Sequence, residues 1–382
     1  MQALQFDPVR LPPEAEEMRQ RVRAFLATER AAGRLVAYRG SWSVFDPDFS
    51  QRAGAAGFIG LTLPREYGGH GQSSLVRYVV TEEMLAAGAP CGAHWVADRQ
   101  SAPQILRYGS ERAKREILPR ICAGRCYFAI GMSEPDSGSD LAAVRTRAIH
   151  TRGGWLINGS KIWTSRAHQV HYLIALVRTG DAGEDRHGGL TQFIIDLSRP
   201  GVEIRPIRNI AGRHEFNEVF FKDYFVEDDM MVGKEGQGWS MVTSELSFER
   251  SGPDRFLSDY HLLVALIDKI GSAPKKRSAI EIGRLVSHLA ALRRMSISIA
   301  GLVEKGKMPG VEAALVKDVG TTFEREIPEV ARRIIATEPS LEEDDVFVKS
   351  LAHVVLEAPS FTIRGGTREI LRGMIARALG LR

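Results

Sequence analysis

Met132-Ser133-Glu134-Pro135-Asp136-Ser137-Gly138-Ser139-Asp140 is followed shortly by Trp155-Leu156-Ile157-Asn158-Gly159-Ser160-Lys161-Ile162-Trp163-Thr164-Ser165. The first stretch is rich in Ser, Asp, Pro and Gly. It therefore reads as a turn that sets hydroxyls and backbone N–H groups toward polar ring edges and phosphate oxygens. The second alternates as a strand does, which lays Trp163 and Ser165 on one face, against a flat aromatic ligand. Turn and strand together describe a site for a planar, phosphate-bearing cofactor.

Outward from this pair, the hydrophobic period changes twice along the chain. Up to about residue 125 apolar residues recur at helical spacing, notably from Pro13 to Ala27, Tyr78 to Ala86 and Arg112 to Ile121. The intervening Tyr67-Gly68-Gly69-His70-Gly71 has glycines but no buried strand leading into it, so it is not a dinucleotide fingerprint. From about 127 to 226 the period is two, with strand-like runs over 155–163, 172–177, 190–197, 202–207 and 219–225. Helical patterning returns over 240–270, 278–303, 311–336 and 344–357, as in a bundle, with Gly252-Pro253 breaking the first run. The predicted fold class is α+β and multidomain: a helical N-terminal domain over 1–125, a middle β-barrel domain over 126–230 and a C-terminal helical bundle over 231–382. The closing segment from Thr367 to Leu379 is amphipathic, suited to packing on its own subunit or on a neighbour.

Composition narrows the class further. The 382 residues, 44% of them hydrophobic, suffice for a large core. A net charge of +4 from 51 basic and 47 acidic residues does not mark a nucleic-acid binder, and Lys275-Lys276-Arg277 reads as a solvated loop, with a contact to a ligand's phosphates as the alternative. No segment has the length and apolarity of a membrane span, so the expectation is a cytoplasmic protein. Cys91, Cys122 and Cys126 are too few for a disulfide framework, lack the partners of a metal site, and read as buried thiols.

In order and spacing the two opening segments resemble the acyl-CoA dehydrogenase family. Tyr67-Gly68-Gly69-His70-Gly71, Phe216-Asn217-Glu218-Val219, Gly236-Gln237-Gly238-Trp239 and Gly365-Gly366-Thr367-Arg368-Glu369-Ile370 fall in the same family order. The resemblance implies FAD as cofactor and an acyl-CoA thioester as substrate. It also implies electron-transfer flavoprotein as electron acceptor, and subunits paired bundle to bundle in a dimer or tetramer. By the same resemblance Met132 and Ser133 face one side of the isoalloxazine ring, and Trp163 and Ser165 cover the other. Ser139 meets substrate or cofactor phosphate, and Thr367 and Glu369 meet the ADP portion. Taken singly, Trp163 also reads as a core aromatic, Ser139 as a turn former and Thr367 as a helix N-cap.

Dehydrogenation across the α and β carbons needs a base for a weakly acidic proton and an acceptor for hydride. Many family members place a Glu before a Gly-Thr pair near the C-terminus. Here that position is Gly365, which has no proton acceptor but keeps a backbone N–H for the thioester oxygen. Relatives resembling isovaleryl- and long-chain acyl-CoA dehydrogenases instead carry the Glu on a bundle helix before an Arg, which Ser247-Phe248-Glu249-Arg250 matches. Glu249 is therefore the predicted base and Arg250 a substrate contact. The other reading of Glu249 is a surface carboxylate near Arg255 or beside Glu245.

Two departures from the family pattern bear on the cofactor. Ile267-Asp268-Lys269-Ile270-Gly271 lacks the Arg and Phe of the Arg-x-x-Phe-Gly motif that reaches a neighbouring adenosine, and the Gln-x-x-Gly-Gly-x-Gly segment is missing. The leading expectation is an FAD-dependent acyl-CoA dehydrogenase. The alternatives are a flavin monooxygenase on the same scaffold, and a half-site subunit that completes the pocket of a paralogous partner.

Overall fold

The computed structural model describes residues 4–35, 40, 42–181, 183–249, 252–307 and 309–381, with the side chains of 244–249 outside the description. The helices are α1 (Pro13–Ala31), α2 (Pro47–Ala55), α3 (Ser74–Ala86), α4 (Ala102–Tyr108), α5 (Glu111–Cys122), α6 (Gly238–Glu249), α7 (Tyr260–Ile270), α8 (Lys276–Glu304), α9 (Gly310–Ile334), α10 (Val346–Phe361) and α11 (Arg368–Ala378). The strands are β1 (Phe128–Gly131), β2 (Arg147–Thr151), β3 (Gly154–Ser165), β4 (Tyr172–Arg178), β5 (Leu190–Asp196), β6 (Val202–Arg208), β7 (His214–Glu227) and β8 (Met231–Val232). The chain divides into two units. Met1–Asp46, Gln72–Gly92 and Leu246–Arg382 form one, Pro47–Gly71 and Ala93–Glu245 the other.

The first unit is helical. Pro13 opens α1 at a position where its missing N–H costs nothing, and Ala15, Met18, Val22 and Leu26 bury one face. Ser73, Asp345 and Thr367 cap α3, α10 and α11 by accepting backbone N–H bonds. The Gly252-Pro253 break is realised: among the described residues α6 reaches Glu249, Pro253–Arg255 form a separate short turn and α7 begins at Tyr260. Lys276 and Arg277 are solvated as expected, but they form the first turn of α8 rather than a loop. Arg19 on α1 donates to Glu82 at 3.2 Å and to Glu83, and Arg293 on α8 donates to Glu82 at 2.6 Å, which ties α1, α3 and α8 together.

In the second unit the strands form one sheet in the order β6-β7-β3-β2-β4-β5-β8, with β1 added in parallel beside β4. The path is open-ended, so the sheet of the expected barrel is not closed among the described residues. Trp155, Ile157, Leu173, Phe193, Val219 and Tyr224 are buried in its core. Cys91, Cys122 and Cys126 are buried thiols, and burial pushes Cys122 and Cys126 up to about 12, which removes them as nucleophiles. Among the described residues no His, Cys, Asp and Glu cluster has metal-site geometry and no helix is long and apolar enough to cross a membrane.

Candidate active site

β1 ends at Gly131 and the chain enters the 132–140 turn. Reciprocal backbone bonds between Glu134 and Ser137 close it, at 2.7 and 3.0 Å, and Ser137 Oγ donates to the Asp140 carbonyl at 2.7 Å. Glu134 folds inward. Its carboxylate accepts from the backbone N–H of Arg145 at 2.6 Å and of Thr146 at 2.9 Å, and from Lys161 Nζ at 2.7 Å. Burial alone would raise the Glu134 pKa, but the Lys161 charge and the backbone donors hold it below the ordinary carboxylate value. Burial brings Lys161 down to about 8 against the pull of Glu134.

β3 also grips the turn through its backbone. Lys161 Nζ donates to the Met132 carbonyl at 3.3 Å, and Ile162 N–H donates to the Ser133 carbonyl at 2.9 Å. The two opening sequence segments are thus one hydrogen-bonded piece. Sequence reasoning assigned no role to Glu134 or Lys161. The available signal was a Lys at an inward position of an apolar strand, which burial permits only with a partner.

Beyond Lys161 the ladder slips. Lys161 pairs with Val219 and Thr164 with Asn217, so β3 carries one extra residue there, a β-bulge. Trp163 sits in it at φ 58° with 56% of its surface exposed. That exposure rules out the core-aromatic reading. Ser165 is exposed as well, with Thr164 fully buried between them, and Phe216 meets Trp163 edge-on at 6.0 Å. Met132 and Ser133 are partly exposed, and Ser139 is exposed on the turn. A large aromatic surface presented at a strand bulge, with hydroxyls and backbone groups around it, fits a flat flavin ring.

The remaining predicted residues lie in the helical unit. Glu249 is the last described residue of α6; its side chain, like all of Arg250, lies outside the described residues. Arg255 is buried and pairs with Asp254 at 3.1 Å. Gly365 and Gly366 take φ 68° and 95°, a left-handed pair that favours glycine. Thr367 Oγ1 accepts from Ile370 N–H, the N-cap role, and Glu369 is exposed in the first turn of α11.

Two cations, the half-buried Arg364 and the buried Lys317, flank these glycines. Arg364 Nη2 donates to Glu324 at 2.8 Å, Ser258 Oγ at 2.7 Å and the Asp254 carbonyl at 3.1 Å, and its guanidinium lies over Trp42 and Phe361. Lys317 Nζ donates to the Gly366 carbonyl. Burial lowers the Arg364 pKa and raises that of Glu324 against the pull of Arg364. It raises Asp259 well above the ordinary value, and Glu324 adds to that rise.

A strand-held turn beside an outward Trp, between helical segments in the sequence, accords with the acyl-CoA dehydrogenase resemblance. Comparison with known proteins agrees: 12–125 match the model of the acyl-CoA dehydrogenase N-terminal domain, 129–224 the middle domain and 275–380 the C-terminal domain. The chain is 33% identical to the acyl-CoA dehydrogenase IpdE1 of Mycobacterium tuberculosis, over 96% of this chain and 98% of that protein. Among solved structures, the Tcur3481-Tcur3483 steroid ACAD superposes with a TM-score of 0.82 at 27% identity, covering 97% of this chain and 98% of that one. The ChsE4-ChsE5 complex from Mycobacterium tuberculosis superposes at 0.81 and 26%, covering 98% and 100%. The chain belongs to the acyl-CoA dehydrogenase family, whose members are FAD-dependent oxidoreductases.

Proposed function

We propose that this chain oxidises an acyl-CoA thioester to the trans-2-enoyl-CoA, with Glu249 taking the α proton. FAD, when bound, supplies the acceptor for the β hydride. The chain's own residues do the rest. Glu249 takes the proton onto its carboxylate, while the Gly365 backbone N–H stabilises negative charge on the thioester oxygen. Met132, Ser133, Trp163 and Ser165 hold the ring. Thr367, whose oxygen accepts from Ile370, retains a hydroxyl proton to donate and with Glu369 contacts the ADP portion. Ser139 contacts substrate or a cofactor phosphate, Arg250 contacts the coenzyme A part of the substrate, and electron-transfer flavoprotein is the proposed electron acceptor.

The supporting observation is the outward Trp163 on a bulge fixed to the 132–140 turn. Likeness to a steroid ACAD supports a bulky, ring-bearing acyl group. Anaerobic titration of the FAD-loaded protein with straight, branched and cyclic acyl-CoAs tests both points. Flavin bleaching supports dehydrogenation, and none with any acyl-CoA leaves the monooxygenase reading.

A second reading has its own support. The chain lacks the Arg-x-x-Phe-Gly contribution at 267–271, and two of its structural relatives are two-protein assemblies by their names. On that reading the chain is one half of a heteromeric dehydrogenase, with a paralogous subunit completing the FAD pocket.

A further inference from the structure

The Phe216-Asn217-Glu218-Val219 segment has no task in the chemistry above, yet Asn217 is fully buried on β7. Its Nδ2 donates to the Thr164 carbonyl at 3.0 Å. That bond fixes which end of the amide is oxygen. Oδ1 lies 3.1 Å from His168 Nδ1 and 2.7 Å from His214 Nε2. A carbonyl oxygen only accepts, so both imidazole nitrogens carry their hydrogens toward it. The two rings stack with centroids 3.7 Å apart and planes 15° from parallel.

Thr164 is the buried residue between Trp163 and Ser165, and both Trp163 and Arg166 take positive φ, at 58° and 59°. Such non-glycine conformations cost about 1 kcal/mol or more each and persist only where their surroundings enforce them. Here the enforcement is visible: the bulge is tied at its Thr164 end to Asn217, and Arg166 N–H donates to the Glu215 carbonyl at 2.8 Å.

We propose that Asn217 is a positioning residue that holds Trp163 and Ser165 outward, and that the His168–His214 stack holds Asn217. The consequence for FAD rests on the reading of Trp163 as a ring contact; the positioning itself does not. A second positive charge within the stack is strongly repelled at this spacing. Burial first, then His214 and Arg166, keep His168 below its ordinary pKa, while its bond to Asn217 pulls upward. Charged neighbours of the stack include Arg166, whose charge acts on His168, and Arg213 and Glu215 on either side of His214, with Glu215 3.7 and 3.5 Å from Arg166 and Arg213. Acidification below pH 6.5 therefore loosens the stack and with it the bulge.

The test uses full-length protein labelled with 5-fluorotryptophan, the Trp163 resonance being assigned from Trp163→Phe. In the parent that resonance shifts in one step below pH 6.5. Asn217→Asp keeps both acceptor bonds and loses the donor to Thr164; the resonance should move at pH 7.5, and FAD should bind about five- to tenfold more weakly. His214→Phe keeps a stacked ring and loses the N–H and the charge, so the acid step should vanish even if Asn217→Asp does not fold. An unmoved resonance in Asn217→Asp, or an acid step that survives in His214→Phe, overturns the proposal. If Trp163→Ala leaves FAD affinity unchanged, the ring-contact reading fails while the resonance still decides the positioning role.

Discussion

Lys161 Nζ lies 2.7 Å from Glu134 Oε1, with the lysine side chain 0% and the glutamate 7% exposed. This pair fastens the 132–140 turn to β3, so the hydroxyls of one sequence segment and the Trp of the other share a single frame.

Glu134→Gln strands a buried ammonium, and loss of one partner of such a pair costs about 3–5 kcal/mol. Denaturant melts should show it, and Glu134→Gln with Lys161→Met should recover part of the loss. The pH dependence follows from the depressed Glu134 pKa. Its contribution is fully present above the ordinary value of 4.5 and is lost as pH falls through the folded-state value. The parent's acid limb should accordingly be steeper than that of the double variant.

Trp163→Ala separates cofactor binding from folding. The side chain is more than half exposed, so the unfolding free energy should stay within about 0.5 kcal/mol of the parent. Loss of ring contact should weaken FAD by about two- to tenfold, the equivalent of about 0.5–1.5 kcal/mol. Equilibrium dialysis against FAD measures it. A variant that binds FAD with the parent's affinity would remove the ring-contact role.

The layering was legible because hydrophobic period alone separates strand from helix, and Gly252-Pro253 announced the break between α6 and α7. β1 and β8 were not. Phe128–Gly131 is a four-residue buried parallel strand with no alternation to read, and Met231–Val232 is a two-residue edge. The motif residues were legible as a local pattern, and so was Thr367 as an N-cap. What holds them was hidden, because Glu134 and Lys161, Glu324 and Arg364, and Thr164 and Asn217 meet only after folding. A bulge also interrupts the period at Trp163 itself.

Glu249→Gln keeps size and removes the proton acceptor. Flavin content should survive while bleaching by acyl-CoA slows by about 10²–10⁴-fold, as for loss of a general base. Adding Gly365→Glu should restore part of the rate if both positions face the same α carbon. Because Gly365 has φ 68°, the added side chain also costs about 1–2 kcal/mol of stability. Stopped-flow bleaching together with a melt of each variant reads both effects, and bleaching near the parent rate in Glu249→Gln places the base elsewhere.

Assembly provides the last test. Ile267, Ile363 and Ile370 are exposed apolar residues of the helical unit, Ile363 at 62%, which is the kind of surface a second subunit covers. The chain should be a dimer or tetramer by light scattering. Without the Arg-x-x-Phe-Gly contribution, the homo-oligomer should hold less than one FAD per chain, and co-expression with a paralogous subunit should raise the ratio. Mass and flavin-to-protein ratio on one sample separate the claims. A monomer removes the assembly claim, and a tight homo-oligomer with one FAD per chain removes the need for a partner, since Thr367, Glu369 and the strand-held turn would then suffice.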